Sequence, residues 1–82
     1  MKWDLWVDYQ AMDERGLTRT NVRYAEPGVV VEPGAFLVVG DEDADLAVAE
    51  VVELRDKGVV LLRVLPGPAA QHLHLVPERR TG

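Results

Sequence analysis

Asp41, Asp43 and Asp45 stand at alternate positions in one acidic run, the spacing of the first three carboxylates in a calcium-binding loop. The rest of such a loop is missing: its sixth position is Leu46, where a sharp turn calls for glycine, and its twelfth is Val52, where a bidentate glutamate closes the cage. A calcium ion needs six or more converging oxygens, so a solvated hairpin loop is the expected role. His72 and His74 alternate along a stretch that reads as strand, which sets both imidazoles on one face as two of the ligands zinc requires. No third ligand is identifiable, and two solvent-facing histidines are expected. Nucleophilic catalysis has less to work with. The chain has no cysteine and no serine, and its hydroxyls at Thr18 and Thr20 have no histidine placed to activate them. No metal, no cofactor and no enzymatic activity is expected.

Recognition by contact has better candidates. Trp6 alternates out of phase with Trp3, Leu5 and Val7, so if those fill the interior a large indole faces outward. A hairpin register places it opposite Arg23, where a cation–aromatic contact is worth about 0.5–1 kcal/mol. Arg19, Arg23 and Arg63 around Trp6 are also the ingredients of a single-stranded nucleic-acid platform. Asp4, Asp8 and Glu50 are interleaved with them, and neutralised cross-strand pairs are the expected outcome. A protein partner for the surface Trp6, Arg19, Arg23 and Arg63 is therefore the leading expectation, and nucleic acid the alternative.

The elements that must carry these residues are strands. Trp3, Leu5, Val7, Tyr9 and Ala11 alternate with polar neighbours, as do Thr18, Thr20, Val22 and Tyr24, and Asp13-Glu14-Arg15-Gly16 joins the two sets. Pairing Met12 with Leu17 predicts a hairpin in which Val7 faces Val22 and Leu5 faces Tyr24, all on the apolar side. Pro27-Gly28 and Pro33-Gly34 bracket Val29 to Val31, which reads as an edge segment because proline is excluded from central strands. Two more hairpins follow. Pairing Val39 with Leu46 sets Phe36 beside Ala49 and Val38 beside Ala47. Pairing Leu54 with Val59 sets Val52 against Leu61, Val51 against Leu62, Ala49 against Val64 and Glu50 against Arg63, with opposite charges directly across. Gln71 to Val76 reads as a short closing strand, residues 1–77 as one domain and 78–82 as a loose tail.

At Pro33-Gly34-Ala35-Phe36-Leu37-Val38-Val39-Gly40-Asp41, then Ala47 to Val52, then Gly58 to Val64, the order is glycine, strand, Gly-Asp turn, long strand, glycine and strand. This rhythm resembles that of the SH3-like small barrels and covers roughly the middle half of the chain. The resemblance implies an all-β fold, a small antiparallel meander barrel or strongly bent sheet of five to six strands. Members of that group bind proteins, bind nucleic acids or serve as structure alone, so the fold leaves the function open. Two departures bear on function: there are five aromatics without a cluster in the loops, and the longest hairpin loop is acidic where nucleic-acid-binding members are basic.

Composition narrows the partner. Nine Lys and Arg against fourteen Asp and Glu give a net charge of −5 over 82 residues, which repels duplex nucleic acid and anionic membranes on average. No uninterrupted apolar run suits a signal peptide or membrane span, and the lack of cysteine suits a reducing compartment, so the cytoplasm is expected. The central strands are apolar on both sides. Leu37, Val39, Val48, Val52 and Leu61 fall on a second apolar face that so short a chain has little material to cover. Self-association through that face, giving a homo-oligomer, is expected. The sequence thus reads as a non-enzymatic protein-interaction or assembly module.

Overall fold

The computed structural model describes residues 2–43 and 46–77. Five strands form one sheet: β1 (Leu5–Trp6), β2 (Thr18–Asn21), β3 (Phe36–Gly40), β4 (Ala47–Leu54) and β5 (Val59–Val64). Their spatial order is β1-β3-β4-β5-β2, antiparallel throughout except that β1 runs parallel to β3. The sheet curls until β1 and β2 meet. Leu5 bridges Ala25, Met12 bridges Thr18, and the Thr20 hydroxyl donates to the Trp6 carbonyl at 2.8 Å. The result is a nearly closed small all-β barrel, as the resemblance to SH3-like barrels implies at the level of fold.

The expected first hairpin is replaced by a different pairing. Met12 lies opposite Thr18, not Leu17, and Leu5 opposite Ala25, not Tyr24. Between these two bridges the chain bends at Asp8 to Met12, and Val22–Tyr24 is a 3-10 turn rather than strand. Asn21 is the cause of that turn, because its side chain accepts a hydrogen bond from the Arg23 N–H and so offers the backbone an alternative to the ladder. The loop itself is as expected. Asp13 Oδ1 accepts from the N–H groups of Arg15 and Leu17, and Gly16 takes φ 78°, a left-handed value that costs glycine little.

β1 finds its partner in β3 through Asp4. The Asp4 N–H donates to the Val38 carbonyl at 2.7 Å, the Val38 N–H donates to Asp4 Oδ2 at 3.0 Å, and the Asp4 carbonyl accepts from the Glu26 N–H at 2.8 Å. One residue, itself only 2% exposed, thereby fastens three segments. Asp4 uses its carboxylate where a parallel strand would use a backbone carbonyl.

The β3–β4 hairpin is slipped by one residue from its expected register, with Leu37 opposite Ala49 and Val39 opposite Ala47. Leu46 leaves the ladder and lies over Gly40, where any added Cβ would come within 2.6 Å of its Cδ2. Large still faces small, but a slip of one exchanges the two faces of a strand. Leu37 and Val39 now point into the core with Leu5, Val7, Ala47, Ala49, Val51, Val60 and Leu62. Between β4 and β5 the expected pairs Ala49–Val64, Glu50–Arg63 and Val51–Leu62 form, after which a bulge at Val52 shifts the register so that Glu53 faces Leu61 and Leu54 faces Val60.

Two further expectations give way. Val29–Val31 makes no ladder, the Val29 N–H being turned back to the Glu26 carbonyl, yet Val29 and Val31 pack on the core while Val30 is exposed. The closing strand at Gln71 to Val76 is instead a pair of 3-10 turns, Ala69–Gln71 and Leu73–Leu75. They fold back over the sheet, with the Ala69 N–H donating to the Leu46 carbonyl and Ala69 buried. The tail at 78–82 lies outside the described residues.

Asp4→Ala leaves the buried Val38 N–H without its acceptor, and a loss of about 1–3 kcal/mol in unfolding free energy is expected by urea denaturation. Asp4→Asn keeps an oxygen at the same place and is expected to lose less. Equal losses in the two variants would mean that the bond to Val38 is not what the carboxylate contributes.

Candidate functional site

Trp6 follows Leu5 on β1, and because Leu5 and Val7 are fully buried its indole is turned outward and only partly covered. Its neighbour there is Tyr24. The two rings sit 5.1 Å apart at 60°, a tilted pair, and Tyr24 as a residue is 45% exposed. The indole Nε1–H donates to Glu42 Oε1 at 2.8 Å, which ties the aromatic pair to the acidic loop after β3. Tyr24 was expected inside, opposite Leu5; the one-residue slip and the 3-10 turn bring it out. The signal available in the sequence was Asn21, a residue type that caps turns.

The expected surface of Trp6, Arg19, Arg23 and Arg63 is divided by the structure into separate settings. Arg63 donates to Glu50 at 3.1 Å, the cross-strand pair its register predicts. Arg23 is exposed in the 3-10 turn, and the ring partner of Trp6 is Tyr24. Arg19 lines an open cleft of about 500 Å³ with Arg55, Asp56, Lys57 and Val59. Of the expected self-association face, Leu37, Val39, Val48 and Leu61 are buried within the single chain and Val52 is half-buried. The slip sends Leu37 and Val39 into the core, so these residues no longer share one face. The large apolar side chains left exposed are others, among them Met12, Val30 and Leu54.

Of the two sets with ligand-like spacing, the first lies only partly among the described residues and the second is not on a strand. Asp43 donates its N–H to Asp41 Oδ1 in a short turn, and Asp45 lies outside the described residues. His72 sits where the two 3-10 turns meet, its Nε2 2.7 Å from the Pro66 carbonyl, and His74 is exposed in the second turn. They are not neighbours on one strand face. A carbonyl only accepts, so the contact assigns the proton of His72 to Nε2.

A second cleft, of about 380 Å³, opens beside Asp4 between Val29–Val30 and Val76–Pro77, with Glu32 at its wall. Comparison with protein-family models, with curated proteins and with solved structures finds no match to this chain. Its site must be judged by geometry. Among the described residues no helix is long and apolar enough to cross a membrane.

Charge between the first loop and the end of β4 is organised as a chain. Arg15 contacts Asp13 at 3.3 Å and Glu53 at 3.5 Å, and Arg55 Nε donates to Glu53 at 2.6 Å. This chain joins the first loop to the end of β4. The Leu17 N–H, with help from Arg15, holds the Asp13 carboxyl below its ordinary 3.8. Hydrogen bonding from Arg55, then its charge and Arg15, holds Glu53 below 4.5, and Glu53 in turn raises Arg55.

A folded-state pKa below the unfolded value contributes stability above the unfolded value and loses it as pH falls through the folded one. The chain should therefore stabilise the protein at neutral pH and fade below about pH 4.5. In urea denaturation the gap between the native protein and Arg15→Ala is expected to be open at neutral pH and to close on acidification; a gap that persists at acid pH assigns it to packing instead.

Proposed function

We propose that this chain is a non-enzymatic protein-interaction module that meets a basic segment of its partner at Trp6 and Tyr24. The observation that carries this reading is the outward aromatic pair, with the indole fastened to Glu42 and Tyr24 as a residue 45% exposed. Tryptophan and tyrosine are enriched among the residues that dominate binding energy, because a rigid ring gives large contact area at low entropic cost. The Glu42 bond holds the indole in one orientation, which lowers the ordering cost further.

The sign of the partner follows from the surroundings. Glu42 is bonded to the indole with Asp41 and Asp43 on either side of it in the chain, and ring faces attract ammonium and guanidinium groups. An arginine or lysine side chain from the partner gains from both. Electrostatic attraction to an acidic loop also speeds encounter and makes it salt-dependent. The cysteine-free composition suits a reducing compartment such as the cytoplasm.

Self-association is not assigned to Leu37, Val39, Val48 and Leu61, which are buried within the single chain. Nucleic acid is the weaker reading of the same rings, because the acidic loop bonded to the indole repels phosphate and Arg63 is already paired.

A fluorescent arginine- and lysine-rich peptide, titrated against the protein and followed by anisotropy, is expected to bind, whereas a glutamate-rich peptide of equal length is not. Tyr24→Ala, at an exposed position, should weaken binding by about 2 kcal/mol, roughly thirtyfold, with the urea midpoint little changed. Equal binding of both peptides, or an affinity indifferent to Tyr24→Ala and Trp6→Ala, would refute the assignment.

A further inference from the structure

The cations of this acidic chain are not used alike. Of nine Lys and Arg, Arg79 and Arg80 lie outside the described residues, which leaves seven. Lys2, Arg15, Arg55 and Arg63 each stand in an ion pair. Arg19, Arg23 and Lys57 make none with a described residue. Two of those three, Arg19 and Lys57, line the same open cleft of about 500 Å³, with Arg55 beside them and Val59 as its apolar part.

The backbone supplies a second, independent observation. Lys57 has φ 63° and ψ 21°, and among the described residues it is the one residue other than glycine with positive φ. With Gly58 at φ 79° it forms a left-handed pair, closed by the Val59 N–H donating to the Asp56 carbonyl. Asparagine or glycine adopts that conformation at lower cost than lysine. A strained residue at a cleft points to a use for its side chain.

The cleft is also rigid. Asn21 at the end of β2 donates from Nδ2 to the Lys57 carbonyl at 3.1 Å, so the strand bearing Arg19 and the turn bearing Lys57 are held as one piece. Arg55 is fixed by its 2.6 Å bond to Glu53. Arg19 and Lys57 therefore project from backbone positions tied to one another, and guanidinium forks match phosphate oxygens.

We propose that this cleft binds the phosphate group of a small phosphorylated ligand, with Arg19 and Lys57 as its direct partners and Arg55 as a fixed flanking charge. Asp56, the carboxylate in the same lining, repels a bare anion and accepts hydrogen bonds from hydroxyls. That combination favours a sugar phosphate over inorganic phosphate. The site is independent of the Trp6–Tyr24 surface and stands or falls without it.

The test is a two-dimensional amide NMR titration of the full chain with ribose 5-phosphate, inorganic phosphate and free ribose, at constant ionic strength set by sodium chloride. Saturable shifts at Arg19, Lys57, Gly58 and Val59 with ribose 5-phosphate, weaker ones with inorganic phosphate and none with ribose are expected. Arg19→Ala and Lys57→Asn should each weaken binding about tenfold or more. Lys57→Asn should fold at least as stably as the native protein, since asparagine accepts the left-handed conformation. No saturable response to either phosphate, an equal response to free ribose, or binding that survives Arg19→Ala would overturn the proposal.

Discussion

A carboxylate stands in for a strand. β1 is only two residues long, too short to hold the edge of a sheet by its own ladder. What holds it is Asp4, whose N–H, carbonyl and side chain reach Val38 of β3 and Glu26 ahead of the proline turns. Because this residue is buried, its bonds form where water competes least, and each counts for more than at the surface. Together with the Val7 N–H bond to the Gly40 carbonyl, that fastening sets Leu5 and Val7 in the core and gives Thr20 and Ala25 something to close against.

The two proposed surfaces lie on the consequences of this closure. Trp6 is outward because Leu5 is inward, and its carbonyl is occupied by Thr20 while its indole is held by Glu42. Tyr24 joins it because Asn21 turns the chain out of β2. The same asparagine reaches the other way, to the Lys57 carbonyl, and holds the β4–β5 turn. One polar side chain thus organises both the aromatic pair and the cationic cleft, which a purely apolar packing account would overlook.

Much of this was readable from residue order and some was not. Strands β3 to β5 were legible, and Glu50 facing Arg63 marked one register unambiguously, since like or unpaired charges would result from any slip. The β3–β4 register was not, because nearly every residue from Phe36 to Val39 is apolar and a period of two cannot choose between faces that look the same. The β1–β3 pairing was hidden for another reason: it depends on a side chain substituting for backbone. His72 and His74 alternate as strand residues do, yet Pro66 and Pro68 hold the approach in turns, and 3-10 geometry prevailed. Of the candidate sites, outward Trp6 was legible. Tyr24 was not, because one slipped residue moves it across the sheet, and Lys57 was not, because a left-handed backbone leaves no mark in composition.

The sheet order has a consequence for how the chain is made. Strands β1 and β2 are synthesised before β3 to β5, but each lies beside a strand made later, β3 in one case and β5 in the other. The segment bearing β1 and β2 therefore emerges before its sheet partners and must wait for the β3–β4–β5 meander, whose contacts are local and quick to form. Until that scaffold exists, Trp3, Leu5 and Val7 are a greasy stretch in search of cover, and the charges of Asp4 and Asp8 beside them work against sticking between nascent chains.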